Sequence, residues 1–209
     1  MVSFFLKLVD PNPDLCAAWR KAFRRLPRVE ILQGHFEQLA DFDCVVSAGN
    51  SFGLMDGGVD LSIVGFFGIS ILDAVQQAII DDYLGEQPVG TCMMVRTGHS
   101  RHPFVAHTPT MRIPSDISGT DNVYCAMWAL LTAIHRHNLA VEPSIRVVAC
   151  PGLGTGAGGV PPEEAARQMA LAYTHYLNPP TLLSWPYAKD RDSYIRRVSP
   201  RPTKRLPKK

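Results

Sequence analysis

Apolar and polar positions divide the chain into short runs of two kinds. Residues 2–9 alternate loosely and are rich in Phe and Val, a first strand that stops at Asp10-Pro11-Asn12-Pro13. Asn12 or Asp14 is placed to cap a helix reaching Arg25, with Pro13 suited to an early helical position. Residues 29–32 read as a short strand ending at Gly34, and residues 44–47, apolar up to Ser47, as a strand buried on both faces in mid-sheet. A glycine-rich stretch over 49–59 follows. Helical spacing then runs over 70–84, through Ile71, Leu72, Val75, Ala78, Ile79 and Tyr83. It returns most clearly over 121–137, through Val123, Met127, Leu130, Leu131 and Ile134. Strands are expected at 90–97, 104–107 and 145–150, and a last helix at 162–176. Past Asn178 the chain holds six prolines in 31 residues and then a basic run, so order is expected to fade.

Strand and helix alternate along most of the length, which argues α/β layers with helices on both faces of a largely parallel sheet. In such sheets ligands bind beyond the carboxyl ends of the strands, where loops enter helices. Both glycine-rich segments stand at such positions.

Composition narrows the class. The 209 residues are 46% hydrophobic and 19% charged, which fits one folded domain with a tail and excludes a disordered chain. The expected division is a single domain over residues 1–186 and a Pro-rich basic tail over 187–209. No apolar run approaches the ~20 residues of a membrane span, and residues 1–15 lack the pattern of a secretory leader. From Arg196 to the end there are seven basic residues and no acid, so residues 1–195 carry 14 positive and 19 negative charges. That acidic body disfavours a general nucleic-acid surface. The tail alone is a candidate for weak, salt-sensitive contact with nucleic acid or an acidic partner. Five scattered cysteines with no C-x-x-C pair fit a reduced, cytoplasmic setting. The histidines show no metal-ligand spacing, and no metal or cofactor is expected.

The segment Gly154-Thr155-Gly156-Ala157-Gly158-Gly159 puts four glycines in six residues between a buried strand and a helix. Such density needs left-handed backbone or close approach to a ligand, and it can turn successive N–H groups toward an anion. It satisfies G-x-G-x-x-G, but it does not open the first βαβ unit, Pro161-Pro162 separates it from its helix, and no Gly-Lys-Ser/Thr follows. Dinucleotide-fold and Walker readings therefore fail. The other segment runs Ser47-Ala48-Gly49-Asn50-Ser51-Phe52-Gly53-Leu54-Met55-Asp56-Gly57-Gly58-Val59-Asp60. Asn50 can donate to and accept from a sugar diol, and Asp60 suits either a helix cap or a carboxylate base.

In order and spacing these segments resemble the macrodomain family of ADP-ribose-binding and ADP-ribosyl-hydrolysing proteins. The resemblance covers residues 29–178 and takes in Gly34-His35-Phe36, the two glycine-rich segments, Pro88-Val89-Gly90 and His107-Thr108-Pro109. It implies a three-layer α-β-α sandwich with a mixed, mainly parallel central sheet. It implies ADP-ribose, or an ADP-ribosylated macromolecule, as the partner, with Asn50 on the distal ribose and Asp60 as the hydrolytic aspartate. The diphosphate would lie between Gly57, Gly58 and Val59 on one side and Gly154, Thr155, Gly156, Ala157, Gly158 and Gly159 on the other, and Gly49 is a further ligand-binding position. His35 stands where the family has its adenine-reading aspartate, and Phe36 beside it is placed to pack on the base. Ser47 replaces the first asparagine of the family's tetrad. Gly158 occupies the place of an aromatic over the distal ribose, whose covering surface Phe52 would supply in part. Three activities remain open on these residues: hydrolysis of an ADP-ribosyl linkage, recognition without turnover, and phosphate release from ADP-ribose 1″-phosphate.

Overall fold

A computed structural model describes residues 4–196. Its first strand, β1 (Phe5–Asp10), leads through Pro11 and Asn12 into α1 (Pro13–Ala22). The Asn12 side chain accepts from the amides of Asp14 and Leu15, and Pro13 opens the helix. Then come β2 (Val29–Gln33), a 3-10 turn at Phe36–Gln38, β3 (Cys44–Ser47), α2 (Gly58–Phe67) and α3 (Ser70–Tyr83). The chain continues through β4 (Met93–Arg96), β5 (Phe104–His107), α4 (Asn122–Ala140), β6 (Val147–Cys150), α5 (Pro162–Leu177) and α6 (Trp185–Arg196).

The strands form a six-stranded sheet in the order β2-β1-β6-β3-β5-β4. All pairings are parallel except β4 with β5. Because side chains alternate across a strand, each central strand feeds two cores. Cys44, Val46, Phe104, Ala106, Val148 and Cys150 face α1, α4 and α5, where Trp19, Met127, Leu130 and Tyr173 complete one core. Val45, Val105 and Ala149 face α2 and α3, where Ile63, Val75 and Ile79 complete the other. The result is helices, sheet, helices: the three-layer sandwich.

Two elements depart from the sequence expectation. Helix α2 has no counterpart there, since Val59, Leu61, Ile63, Val64, Phe66 and Phe67 leave no polar stripe from which a helical period can be read. Gly68, at φ 89°, ends α2, and α3 leaves at a 116° bend. Among the described residues no single helix is long and apolar enough to cross a membrane.

The second departure is α6, because the prolines past Asn178 predict a loss of order, and the 186/187 boundary falls inside this helix. No α6 side chain is fully buried. Arg167 from α5 donates to the carbonyls of Tyr194 and Ile195 in its last turn. The Arg191 guanidinium sits 4.3 Å from the Trp128 ring centroid on α4. The remaining tail, 197–209, with most of the basic run and its expected partner contact, lies outside the described residues.

Candidate functional site

Five parallel strands, β1, β2, β3, β5 and β6, run their carboxyl ends toward one edge of the sheet, and the loops leaving them line a single cleft of about 590 Å³. Strand β6, inserted between β1 and β3, brings the two glycine-rich loops face to face from distant stretches of sequence. This is the position that the open α/β architecture assigns to ligands.

The later loop is folded by its own glycines. Gly154 (φ 71°) and Gly159 (φ 62°) adopt left-handed backbone, the Val160 amide donates to the Gly154 carbonyl at 3.1 Å, and the Ile117 amide to that of Gly158 at 2.9 Å. A side chain at Gly158 would begin 2.5 Å from the Gly154 carbonyl oxygen, so the family's aromatic has no room in this loop. At Gly156, by contrast, a Cβ would meet nothing within 4 Å. Within the described residues the amides of Gly154, Thr155, Gly156, Ala157 and Gly158 donate no intramolecular hydrogen bond. Asp10 anchors the approach to this loop, its carboxylate accepting from the amides of Gly152 (3.1 Å) and Asn12 (3.0 Å).

The earlier loop delivers α2 to the cleft by its N-terminus. Gly57, the residue before the helix, has no side chain to cap it, which leaves the first-turn amides open in the way an anion site requires. Gly57, Gly58, Val59 and Asp60 all line the cleft, as do Gly49 and Asn50. Thr155, Gly156, Ala157, Gly154 and Gly158 line it from across.

Asp60 lies one turn into α2, 6% exposed, with Ser47 Oγ donating to its Oδ1 at 2.7 Å. Burial dominates its chemistry: desolvation raises its pKa from 3.8 to about 6, against the Ser47 hydrogen bond and helped by the nearby Asp56 charge. Ser47 thus lies beneath the cleft and reaches it through Asp60. Asn50 is largely occupied by its own loop. Its Oδ1 accepts from the amides of Phe52 (3.0 Å) and Leu54 (3.4 Å), and its Nδ2 donates to the Leu54 carbonyl at 3.0 Å, leaving one amide hydrogen for a ligand.

At the other end, His35 is exposed at the start of the 3-10 turn and lines the cleft. Phe36 forms wall and core at once: it is buried, with its ring held by Phe42 and Phe66 at centroid distances of 6.1 and 5.6 Å. Two expected contacts fall elsewhere. Phe52 is not among the residues that line the cleft; its amide donates to Asn50 Oδ1 at 3.0 Å. Gly159 also lies past the lining, beside Asp116. Sequence reasoning missed Asp10, Pro11 and Asn12 from the β1–α1 loop and Thr110, Met111 and Pro114 from the loop after β5. Their signal was topological, since each follows a strand whose carboxyl end faces the cleft.

A mainly parallel sheet between two helical layers, with glycine-rich loops at its carboxyl edge, defines the class of open α/β folds that place ligand sites at strand ends. Residues 46–169 match the model of the Macro domain, and the chain belongs to that family. An uncharacterised protein of Aquifex aeolicus is 37% identical over 142 residues, covering 68% of this chain and 78% of that protein. Among solved structures, the macrodomain of Mycobacterium tuberculosis DarG superposes with a TM-score of 0.57 at 24% identity, over 68% of this chain and 88% of that one. A variant of the Oceanobacillus iheyensis macrodomain, solved with ADPR, superposes with a TM-score of 0.58 at 18% identity, over 79% of this chain and 90% of that one. At these identities the two structures establish the fold.

Proposed function

We propose that this protein binds ADP-ribose in the cleft and hydrolyses the bond between an ADP-ribosyl group and its acceptor. The observation that carries the binding is the run of five successive amides, Gly154 to Gly158, that donate no bond among the described residues and share one cleft with the uncapped N-terminus of α2. A diphosphate calls for many convergent backbone donors and little side-chain bulk, and both loops offer that. Macrodomains solved with ADP-ribose, including that of Trypanosoma brucei, are consistent with the assignment.

Hydrolysis rests on Asp60. The bond from the anomeric carbon to the acceptor breaks with positive charge developing on the ribose ring, and a water oxygen forms the new bond to that carbon. Asp60 takes a proton from this water as it attacks, while the departing acceptor is protonated from solvent. A carboxyl whose pKa lies at about 6 is ionised at neutral pH yet basic enough to serve. The remaining Asn50 hydrogen orients a ribose hydroxyl.

A second reading, recognition without turnover, is favoured by one observation: three of the four Asn50 hydrogen-bonding positions are spent on its own loop. Calorimetry with free ADP-ribose, paired with release of ADP-ribose from a modified protein, separates the two. Binding with release supports the hydrolase, binding without release selects the reader, and no binding overturns both.

A further inference from the structure

Next to Gly49 and Asp60 lies a buried polar group that the reaction above does not use. His107, the last residue of β5, is completely buried. Its Nδ1 lies 2.6 Å from Gln87 Oε1. Gln87 is itself fully buried, and its Nε2 donates to the His107 carbonyl at 3.2 Å, which fixes the amide with its oxygen toward the ring. An amide oxygen only accepts, so the ring proton sits on Nδ1 and Nε2 is left as an acceptor. That Nε2 is buried and has no partner among the described residues.

This Nε2 lies against Gly49. A Cβ on Gly49 would stand 2.7 Å from His107 Nε2 and 2.9 Å from Asp60 Oδ2. The two atoms therefore converge on the flank of one bare glycine, no further apart than two hydrogen bonds in series, about 2.8 Å each. Among the described residues they make no direct hydrogen bond, and two acceptors buried this close together repel unless a donor lies between them. One water molecule donating to both would satisfy each atom.

We propose that His107 is a positioning residue for Asp60, acting past Gly49 through a single shared water, with Gln87 holding the imidazole in the tautomer that accepts. The arrangement gives the carboxyl two fixed attachments, Ser47 on Oδ1 and the His107-linked water on Oδ2, so that it presents one orientation to the cleft. The groups that bear on its titration are Ser47 from β3, Asp56 from the loop before α2, and His107 from β5. Burial keeps His107 neutral, with its pKa lowered to about 4, so it accepts across the range in which Asp60 ionises.

This role rests on the hydrolase reading for its catalytic consequence, and its first test is independent of activity. In wild-type protein with nitrogen-15-labelled histidine and carbon-13-labelled aspartate, NMR across pH 4.5–7.5 should find His107 protonated on Nδ1. Its Nε2 shift should carry an inflection at the Asp60 carboxyl midpoint, and Asp60→Asn should abolish that inflection. A flat Nε2 shift, or a proton on Nε2, overturns the proposal. The second test is Gln87→Glu, which places a carboxylate on Nδ1–H, favours imidazolium and turns Nε2 into a donor toward Oδ2. The Asp60 midpoint and the acid limb of kcat should then move together to lower pH, with KM unchanged. An unmoved acid limb in a folded variant overturns the positioning role. Wild-type protein that shows the NMR coupling but releases no ADP-ribose overturns the hydrolase reading alone.

Discussion

Asp60 costs the fold stability at the pH where it would work. The folded protein holds the Asp60 proton more tightly than the unfolded chain, so its contribution to stability is fully present below about pH 4 and is lost as pH rises through about 6. A carboxyl raised from 3.8 to about 6 removes about 3 kcal/mol at neutral pH. His107 has the opposite sign: its contribution is present above 6.5 and lost as pH falls toward about 4. Asp60→Asn should therefore abolish hydrolysis and yet stabilise the protein by about 2–3 kcal/mol at pH 7.5, an advantage that disappears near pH 4. Urea denaturation of both proteins at the two pH values checks this. A variant less stable than wild type at pH 7.5 would mark Asp60 as a structural anchor. Gly156 gives a complementary test, because a side chain there meets open space and its φ is not left-handed. Gly156→Glu should leave the melting temperature within about 2 °C while weakening ADP-ribose at least tenfold, read by calorimetry.

Among the elements, what was legible in the sequence and what was not divides along clear physical lines. Strands β3 and β5 were readable because short apolar runs bounded by polar residues have few other uses in a chain of this length. The tight turn of the later loop was readable because so dense a run of glycines is costly to order and is kept where the backbone must turn left-handed, as at Gly154 and Gly159. Helix α2 was hidden by an apolar circumference, and α6 by prolines whose effect is outweighed by contacts from Arg167 and Arg191. The site residues that sequence could not supply, Asp10, Asn12 and Thr110, carry no motif and are functional candidates only by their place at strand ends. Two element-scale predictions follow from these contacts. Asp10→Ala removes the acceptor for the Gly152 and Asn12 amides, each bond worth about 1.5–3 kcal/mol to a charged partner. It should loosen the later loop, seen as faster amide exchange over 152–159 and weaker ADP-ribose binding. Arg191→Ala should free α6 with little effect on the rest, seen as faster exchange confined to 185–196 and an altered Trp128 fluorescence.

At the scale of the whole molecule, the sandwich and the position of its cleft were both implied by the alternation of strand and helix. The order of the strands was not. Nothing in the local pattern tells that the last strand made enters the middle of the sheet, since that depends on which faces remain apolar once the others have paired. Its placement explains why two loops roughly a hundred residues apart in sequence (Gly49 to Asp60, and Gly154 to Gly158) share one ligand surface.

The central seat of β6 has a further consequence for biosynthesis. Until Val147–Cys150 leave the ribosome, β2-β1 and β3-β5-β4 are separate ribbons with nothing to hydrogen-bond across the gap. A chain that stops before β6 holds the earlier side of the cleft and lacks the side formed by 151–158. On the proposed function, ligand affinity is therefore expected only once β6 and its loop have emerged.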